Sequence, residues 1–236
     1  MIRKGTLALA CTTAAVLGTL AAPAQATTFN LGSLVDNQGS FTVGDKHFKE
    51  FSCSILASSG ASPKNCNSID ILTLENDPFG IRFQSFFNAA ANSNLQVFID
   101  YTVEALAPDK AISGAQLSFN GAFVGPNAKT SVTQTIKDLS DVTVGILNVS
   151  NPNPVDLQDP AFEPTDTPLS QFLKQAQVGT EIKIETGANS RGFISFVDQR
   201  FEQETIEVPE PGTISGLLAI GSLGIGSILK QLKQKK

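Results

Sequence analysis

Apolar and polar positions alternate with a period of two through most of this chain. In 95–106, Val97, Ile99, Tyr101, Val103 and Ala105 interleave with Phe98, Asp100, Thr102 and Glu104. Val132/Ile136, Val142/Val144/Ile146, Ile81/Phe83 and Ile182/Ile184 repeat the pattern, which is the signature of half-buried strands. The alternation predicts strands near 29–34, 40–43, 47–56, 69–75, 79–87, 95–106, 112–119, 130–137, 141–149, 180–186 and 192–204. Turn chemistry separates them: Asp36-Asn37-Gln38-Gly39, Asn76-Asp77-Pro78, Asn120-Gly121, Gly125-Pro126-Asn127 and Gly187-Ala188-Asn189. Connections this short leave no room for the dozen or more residues of a parallel crossover. The expected fold is therefore all-β, an antiparallel β-sandwich of two sheets packed face to face, in one domain over 27–208.

Two segments depart from the alternation. Residues 151–168 (NPNPVDLQDPAFEPTDTP) carry five prolines, which excludes a central strand or a helix interior and predicts a surface loop. Pro168 to Gln175 then reads as a short helix with Thr167 as its cap. Phe48 and Phe51 both read as core, and their three-residue spacing predicts a bulge between them.

The ends of the chain have another composition. Arg3 and Lys4 precede an apolar, small-residue run from Leu7 to Ala22, and Ala24-Gln25-Ala26 places small residues at −3 and −1. This is a signal peptide over 1–26, with the mature chain starting at Thr27. Cys11 follows Ala8-Leu9-Ala10, but the leucine is one place off for a lipoprotein signal. At the other end, Pro209-Glu210-Pro211 is a stiff extended tripeptide. Thr213 to Leu229 is uncharged and would rise roughly 25 Å as a transmembrane helix, close to a hydrocarbon core of ~30 Å. Lys230, Lys233, Lys235 and Lys236 in the tail 230–236 would hold the terminus on the cytoplasmic side.

Motif, span and basic cluster in this order, over 209–236, resemble the PEP-CTERM sorting signal of exosortase substrates. The resemblance implies export to the inner membrane, then processing by an exosortase, a multi-pass membrane cysteine transpeptidase that recognises Pro209, Glu210 and Pro211. It also implies delivery to the cell surface or extracellular matrix of a bacterium with an exopolysaccharide system. The competing reading of the same residues is an ordinary single-pass anchor with a stiff linker. A second resemblance covers Val43-Gly44-Asp45-Lys46-His47-Phe48-Lys49-Glu50-Phe51 and Phe79-Gly80-Ile81-Arg82-Phe83, which look like the domain shared by many cyanobacterial PEP-CTERM proteins. It brings no biochemistry with it.

Removing both signals changes the charge. The whole chain has 17 basic and 22 acidic residues; without Arg3, Lys4 and the four tail lysines, 11 face 22. A domain near −11 repels nucleic acid, which excludes that partner. Cys53 and Cys66 form an even pair in an oxidising compartment and bracket a polar loop, so a disulfide is expected; a metal site would need ligands that one histidine, His47, does not supply.

Catalytic constellations are thin. His47 has no nucleophile tied to it by a motif, since G-x-S-x-G is absent. Glu202 with Glu204, or Asp198 with Glu202, would be the glycosidase pairs, on what reads as a solvated face. The Asp36-Asn37 and Asp138/Asp141 turns lack the spacing of a dedicated calcium loop. Asn148-Val149-Ser150 is a glycosylation sequon. The sequence thus points to an exported non-enzymatic surface or matrix protein without a cofactor. The alternative is a carbohydrate-binding module that holds matrix polysaccharide. Such a module needs exposed aromatics, and the chain has no tryptophan and one tyrosine, Tyr101, on a strand that reads as central.

Overall fold

The structure, a computed structural model, describes residues 26–151 and 165–206. In chain order its strands are β1 (Thr28–Asn30), β2 (Phe41–Val43), β3 (Lys46–Ala57), β4 (Ala61–Ser62) and β5 (Asp70–Leu74). Then come β6 (Gly80–Ala89), β7 (Asn94–Ala105), β8 (Lys110–Val124) and β9 (Ala128–Lys137). The last four are β10 (Thr143–Asn151), β11 (Thr165–Leu173), β12 (Gln175–Thr186) and β13 (Arg191–Thr205). A helix α1 (Leu31–Asp36) follows β1, and Cys66–Ser68 forms a 3₁₀ turn.

Every pairing is antiparallel. A seven-stranded sheet has the order β1-β5-β6-β13-β8-β11, with β4 beside β6; a six-stranded sheet has the order β10-β9-β12-β7-β3-β2. From β6 onward the chain alternates between sheets except at the β9–β10 hairpin, so that β6-β13-β8-β11 faces β7-β12-β9-β10. That is the strand order of a jelly roll, two Greek keys wrapped into one sandwich. The added strands β5 and β1 extend one sheet, and β3 and β2 the other, on the flanks of β6 and β7.

The inward positions of both sheets form one core. Its aromatic part runs from Phe29 through Phe41, Phe48 and Phe51 to Tyr101, with neighbouring ring centroids 4.3–5.6 Å apart. Phe83 and Phe201 come from the opposite sheet and meet Tyr101 edge-on at 6.0 and 6.4 Å. Burying each such ring stabilises by about 1.5–3 kcal/mol, and each well-oriented pair adds about 0.5–1.5 kcal/mol. The Tyr101 hydroxyl crosses to the facing sheet and donates to Gln199 Oε1. Gln199 Nε2 returns to Thr180 Oγ1 at 2.7 Å, so these three side chains bond one another across the core, while the buried amide of Gln134, opposite Thr180 on β9, has no partner.

The expected bulge is present. The β3–β7 register shifts between Lys49 and Ser52, Glu50 takes a φ of +59°, and both Phe48 and Phe51 face the core. Among the described residues β3 has no strand on its outer side beyond the bulge, because β2 pairs only with Lys46–Phe48. The expected disulfide guards that edge: Cys53 is joined to Cys66, Cα atoms 6.2 Å apart. Lys64 Nζ also donates to the carbonyls of Ala57 and Ser58. The bond thus links β3 of one sheet to the turn that enters β5 of the other.

Three local expectations are overturned. Residues 31–34 belong to α1, not to a strand: Asn30 caps the helix by accepting from Ser33 N at 3.1 Å, and Leu31 and Leu34 are buried on one side. The expected helix over Pro168–Gln175 is strand to Leu173, paired with β8. Leu169 and Leu173 are buried in either conformation, and an edge strand tolerates Pro168 because its missing N–H can lie on the unpaired side. The same strand takes in Thr165–Pro168 from the end of the expected loop. Asn120-Gly121 is no turn; β8 runs through it, paired with β13 across a bulge at Ser195.

The expected signal peptide through Ala24, the loop 152–164, the tripeptide Pro209-Glu210-Pro211 and the span 213–229 lie outside the described residues. Among the described residues no helix is long and apolar enough to cross a membrane.

Candidate functional site

Two departures from regular strand chemistry build an open trough on the outer face of the six-stranded sheet. The first is Gly179, midway along β12, with Asp100 of β7 and Thr135 of β9 as its lateral partners. A Cβ there would lie 3.0 Å from Asp100 Oδ1, so the missing side chain lowers the floor of the sheet at this point. The second is the β3 bulge, which turns Glu50 outward beside Thr102. Together they leave a cavity of about 520 Å³ lined from β3, β7, β9 and β12.

Its polar side chains are held in place. Asp100 Oδ2 accepts from Ser52 Oγ at 3.0 Å, Glu50 Oε2 from Thr102 Oγ1 at 2.6 Å, and Glu181 Oε1 from Gln96 Nε2 at 2.6 Å. Each carboxylate keeps further lone pairs for a ligand. Lys137, Gln177, Thr133 and Thr135 supply donors around them, with Lys137 paired to Asp141 at 2.7 Å. Phe98, half-buried on β7, is the one apolar ring in the lining, next to Glu181 across the β7–β12 pair. An open surface of fixed acceptors and donors around one ring matches a polyhydroxylated chain, whose hydroxyls donate and accept and whose C–H faces pack on aromatics.

More exposed rings lie on the other outer face. Phe86 of β6 is 69% exposed, and Phe193 and Phe196 of β13 are half-buried beside it. The Arg82 guanidinium lies 3.8 Å from the Phe196 ring centre. Asp198 fixes it through two bonds, 2.6 and 2.8 Å, and this hydrogen-bonded partner holds the arginine's pKa above its usual value despite partial burial.

The residues singled out from sequence fall as follows. His47 is half-buried on β3, with Nδ1 3.2 Å from Thr42 Oγ1; Thr42 and Glu104 flank it on β2 and β7. Asp198 is occupied by Arg82, and Glu202 Oε1 accepts from Gln116 Nε2 at 3.0 Å. Asn37 closes α1 by donating to Ser33 O. Asp138 Oδ1 accepts from Ser140 N and Val142 N at 2.8 and 2.9 Å, and those backbone bonds hold its pKa below the usual carboxylate range. Asn148 Nδ2 donates to Thr133 Oγ1 at the trough's edge. Among the described residues no three His, Cys, Asp or Glu side chains gather as a metal site.

Thr27, the expected first mature residue, is tied into the fold: its N–H donates to Thr73 Oγ1 at 2.8 Å and its carbonyl accepts from Thr73 N. Ala26 just before it is exposed. The two segments of the second resemblance pack on each other. Gly44, at φ +56°, has no room for a Cβ because the Phe79 ring lies 2.5 Å from where it would be. Lys46 Nζ, paired with Asp45 at 2.8 Å, sits 5.3 Å from the same ring's centre.

No protein-family model matches the chain, and no curated protein matches it. Solved structures superpose on it in part. TmCBM61, determined with β-1,4-galactotriose, is 10% identical, covers 64% of this chain and 88% of its own, and gives a TM-score of 0.33. The CBM36-1 domain of a multidomain xylanase from the hindgut metagenome of Trinervitermes trinervoides is 11% identical, with coverages of 63% and 96% and a TM-score of 0.20. A family two carbohydrate esterase from Cellvibrio japonicus is 13% identical, with coverages of 67% and 37% and a TM-score of 0.21. Superpositions this loose carry no argument about function. The jelly-roll order stands on the strand registers of this chain alone.

Proposed function

We propose that the chain is an exported, non-catalytic surface or matrix protein whose trough holds matrix polysaccharide. The observation that carries the binding role is the trough itself. Three carboxylates, each positioned by one side-chain hydrogen bond, surround a floor opened by Gly179 with Phe98 at its side. The acids are spread over three strands and each is engaged by a neutral donor, an arrangement for recognition and not for proton transfer. Export and sorting rest on the sequence signals at 1–26 and 209–236. Two features of the fold are compatible with export: Thr27, the residue after Ala-Gln-Ala, is bonded to Thr73, and the cysteine pair is oxidised. The exosortase is the processing partner in this reading.

Affinity electrophoresis of the exported protein in gels containing soluble polysaccharides, the producing cells' own exopolysaccharide among them, tests the binding role. Retardation is expected with wild type and with Glu204→Ala, and its loss with Gly179→Val, which fills the floor, and with Asp100→Ala. Equal mobility of wild type in all gels would remove the binding role and leave the sorting reading to its own test below.

A further inference from the structure

We propose that the end of the sandwich from which the chain leaves rests on a lipid surface, with Leu139, Val142 and Phe172 entering the membrane interface. This rests on the reading above, in the state before exosortase processing, when 213–229 is still the inner-membrane span.

Strand registers and loop bonds gather several segments at one end. Ile206, the last described residue, donates to Asp109 O at 2.8 Å; Leu106 N donates to Asp45 O at 2.9 Å; and Ala105 N donates to Lys174 O at 3.0 Å. The β9–β10 hairpin joins them through Gln171 Nε2, which donates to Asp138 Oδ2 at 3.2 Å. At this end Leu139 is 61% exposed, Val142 57%, Phe172 53% and Leu106 49%. They make up half of the large apolar side chains exposed among the described residues, so the exposed apolar surface is concentrated where the chain departs.

The hairpin tip suits the interface for a second reason. Most of its backbone N–H groups are satisfied from within: Asp138 N donates to Val142 O, Asp141 N to Asp138 O, and Asp138 Oδ1 accepts from Ser140 N and Val142 N. Leu139 and Val142 can therefore reach the interface with few backbone donors stranded, while Asp141, paired with Lys137 at 2.7 Å, stays among the hydrated headgroups. Distance fits as well. The six residues between Ile206 and Thr213 span at most roughly 20 Å, which keeps this end near the bilayer whatever path they take. Charge does not select anionic headgroups, because Lys110, Lys137 and Lys174 are matched by Asp109, Asp138 and Asp141. The fitting occupant is a zwitterionic lipid interface met by apolar side chains.

The chain contains no tryptophan, so one substitution installs a unique indole reporter. Chains of 27–236, without Cys11, carrying Leu139→Trp, Phe172→Trp, or Phe86→Trp on the outer face of the seven-stranded sheet, are reconstituted in phosphatidylcholine vesicles with or without brominated acyl chains. All three should float with the vesicles. Brominated lipid should quench Leu139→Trp and Phe172→Trp and shift their emission to the blue, and should leave Phe86→Trp unchanged; absence of free thiols confirms that each variant is folded. Flotation without quenching of either reporter would overturn the docking and leave the anchor standing, as would equal quenching of all three. Failure of the chain to float would overturn both.

Discussion

Replacing Tyr101 by phenylalanine removes one oxygen from the middle of the core and nothing else. Tyr101 is 2% exposed and Gln199 fully buried, and the tyrosine hydroxyl is the donor to Gln199 Oε1. The variant leaves that amide oxygen in an apolar setting, a desolvation cost of about 1–3 kcal/mol. For a domain of this size that lowers Tm by roughly 2–12 °C. Urea titration of the exported protein by far-ultraviolet circular dichroism should show a lower midpoint with an unchanged slope. The double variant Tyr101→Phe/Gln199→Leu deletes the orphaned acceptor too, and should recover part of the loss, the remainder being the Gln199 donor that Thr180 Oγ1 loses. A single variant within about 0.5 kcal/mol of wild type, or a double variant no better than the single, would refute the account of this network.

The same residue gives a pH signature. Burial holds the Tyr101 phenol well above its ordinary pKa. An unfolded chain ionises near pH ~10, so above that pH the unfolded state releases a proton that the folded state keeps, and stability falls as pH rises. Below it both states are neutral and Tyr101 adds no slope. Because the chain has one tyrosine, phenolate absorbance should appear only together with alkaline unfolding.

Three further outcomes are expected. N-terminal sequencing of the exported protein should begin at Thr27; a product starting at Met1 or acylated at Cys11 would contradict the signal-peptide reading. A thiol assay on native and on unfolded exported protein should find none, and Cys53→Ser/Cys66→Ser should cost about 3 kcal/mol, judged from the chain entropy of so short a loop. Replacing Pro209, Glu210 and Pro211 by alanines should leave insertion intact but trap unprocessed protein in the inner membrane, whereas deleting 213–236 should release a soluble domain. A triple-alanine variant that reaches the surface in the wild-type processed form would favour the plain single-pass anchor.

Most strands were legible because half-buried pleats leave a period-two trace. Strands such as 47–56, 79–87, 95–106 and 192–204 are found within two residues of their expected limits. The failures have physical causes. Helix α1 is six residues long, too short to show a period, and is fixed by the Asn30 cap. Leu169 and Leu173 stand four apart, a spacing that fits a helix and a strand face equally, and only pairing with β8 decides between them. That misreading also hid the first five residues of β12, and with them Gly179. The trough was illegible for the same reason: Glu50 reaches it through a bulge and Gly179 shapes it by lacking a side chain. A glycine inside a strand was the one available signal. Phe98 and Asp100 did show as outward positions, but no pattern in one strand shows what lies beside it.

In the matrix role proposed above, many copies would meet at one surface, a hazard that a single molecule does not reveal. On the side away from β7, the half of β3 beyond the bulge is a row of backbone donors and acceptors with no neighbouring strand among the described residues, on which a second molecule's edge could grow. Cys66 and Lys64 sit across that row, one by a covalent bond to Cys53 and the other by capping carbonyls at its end. In a crowded matrix the Cys53–Cys66 bond would guard against polymerisation as much as it staples the fold. Where the surroundings turn reducing, the first thing lost would be the protein's solitude.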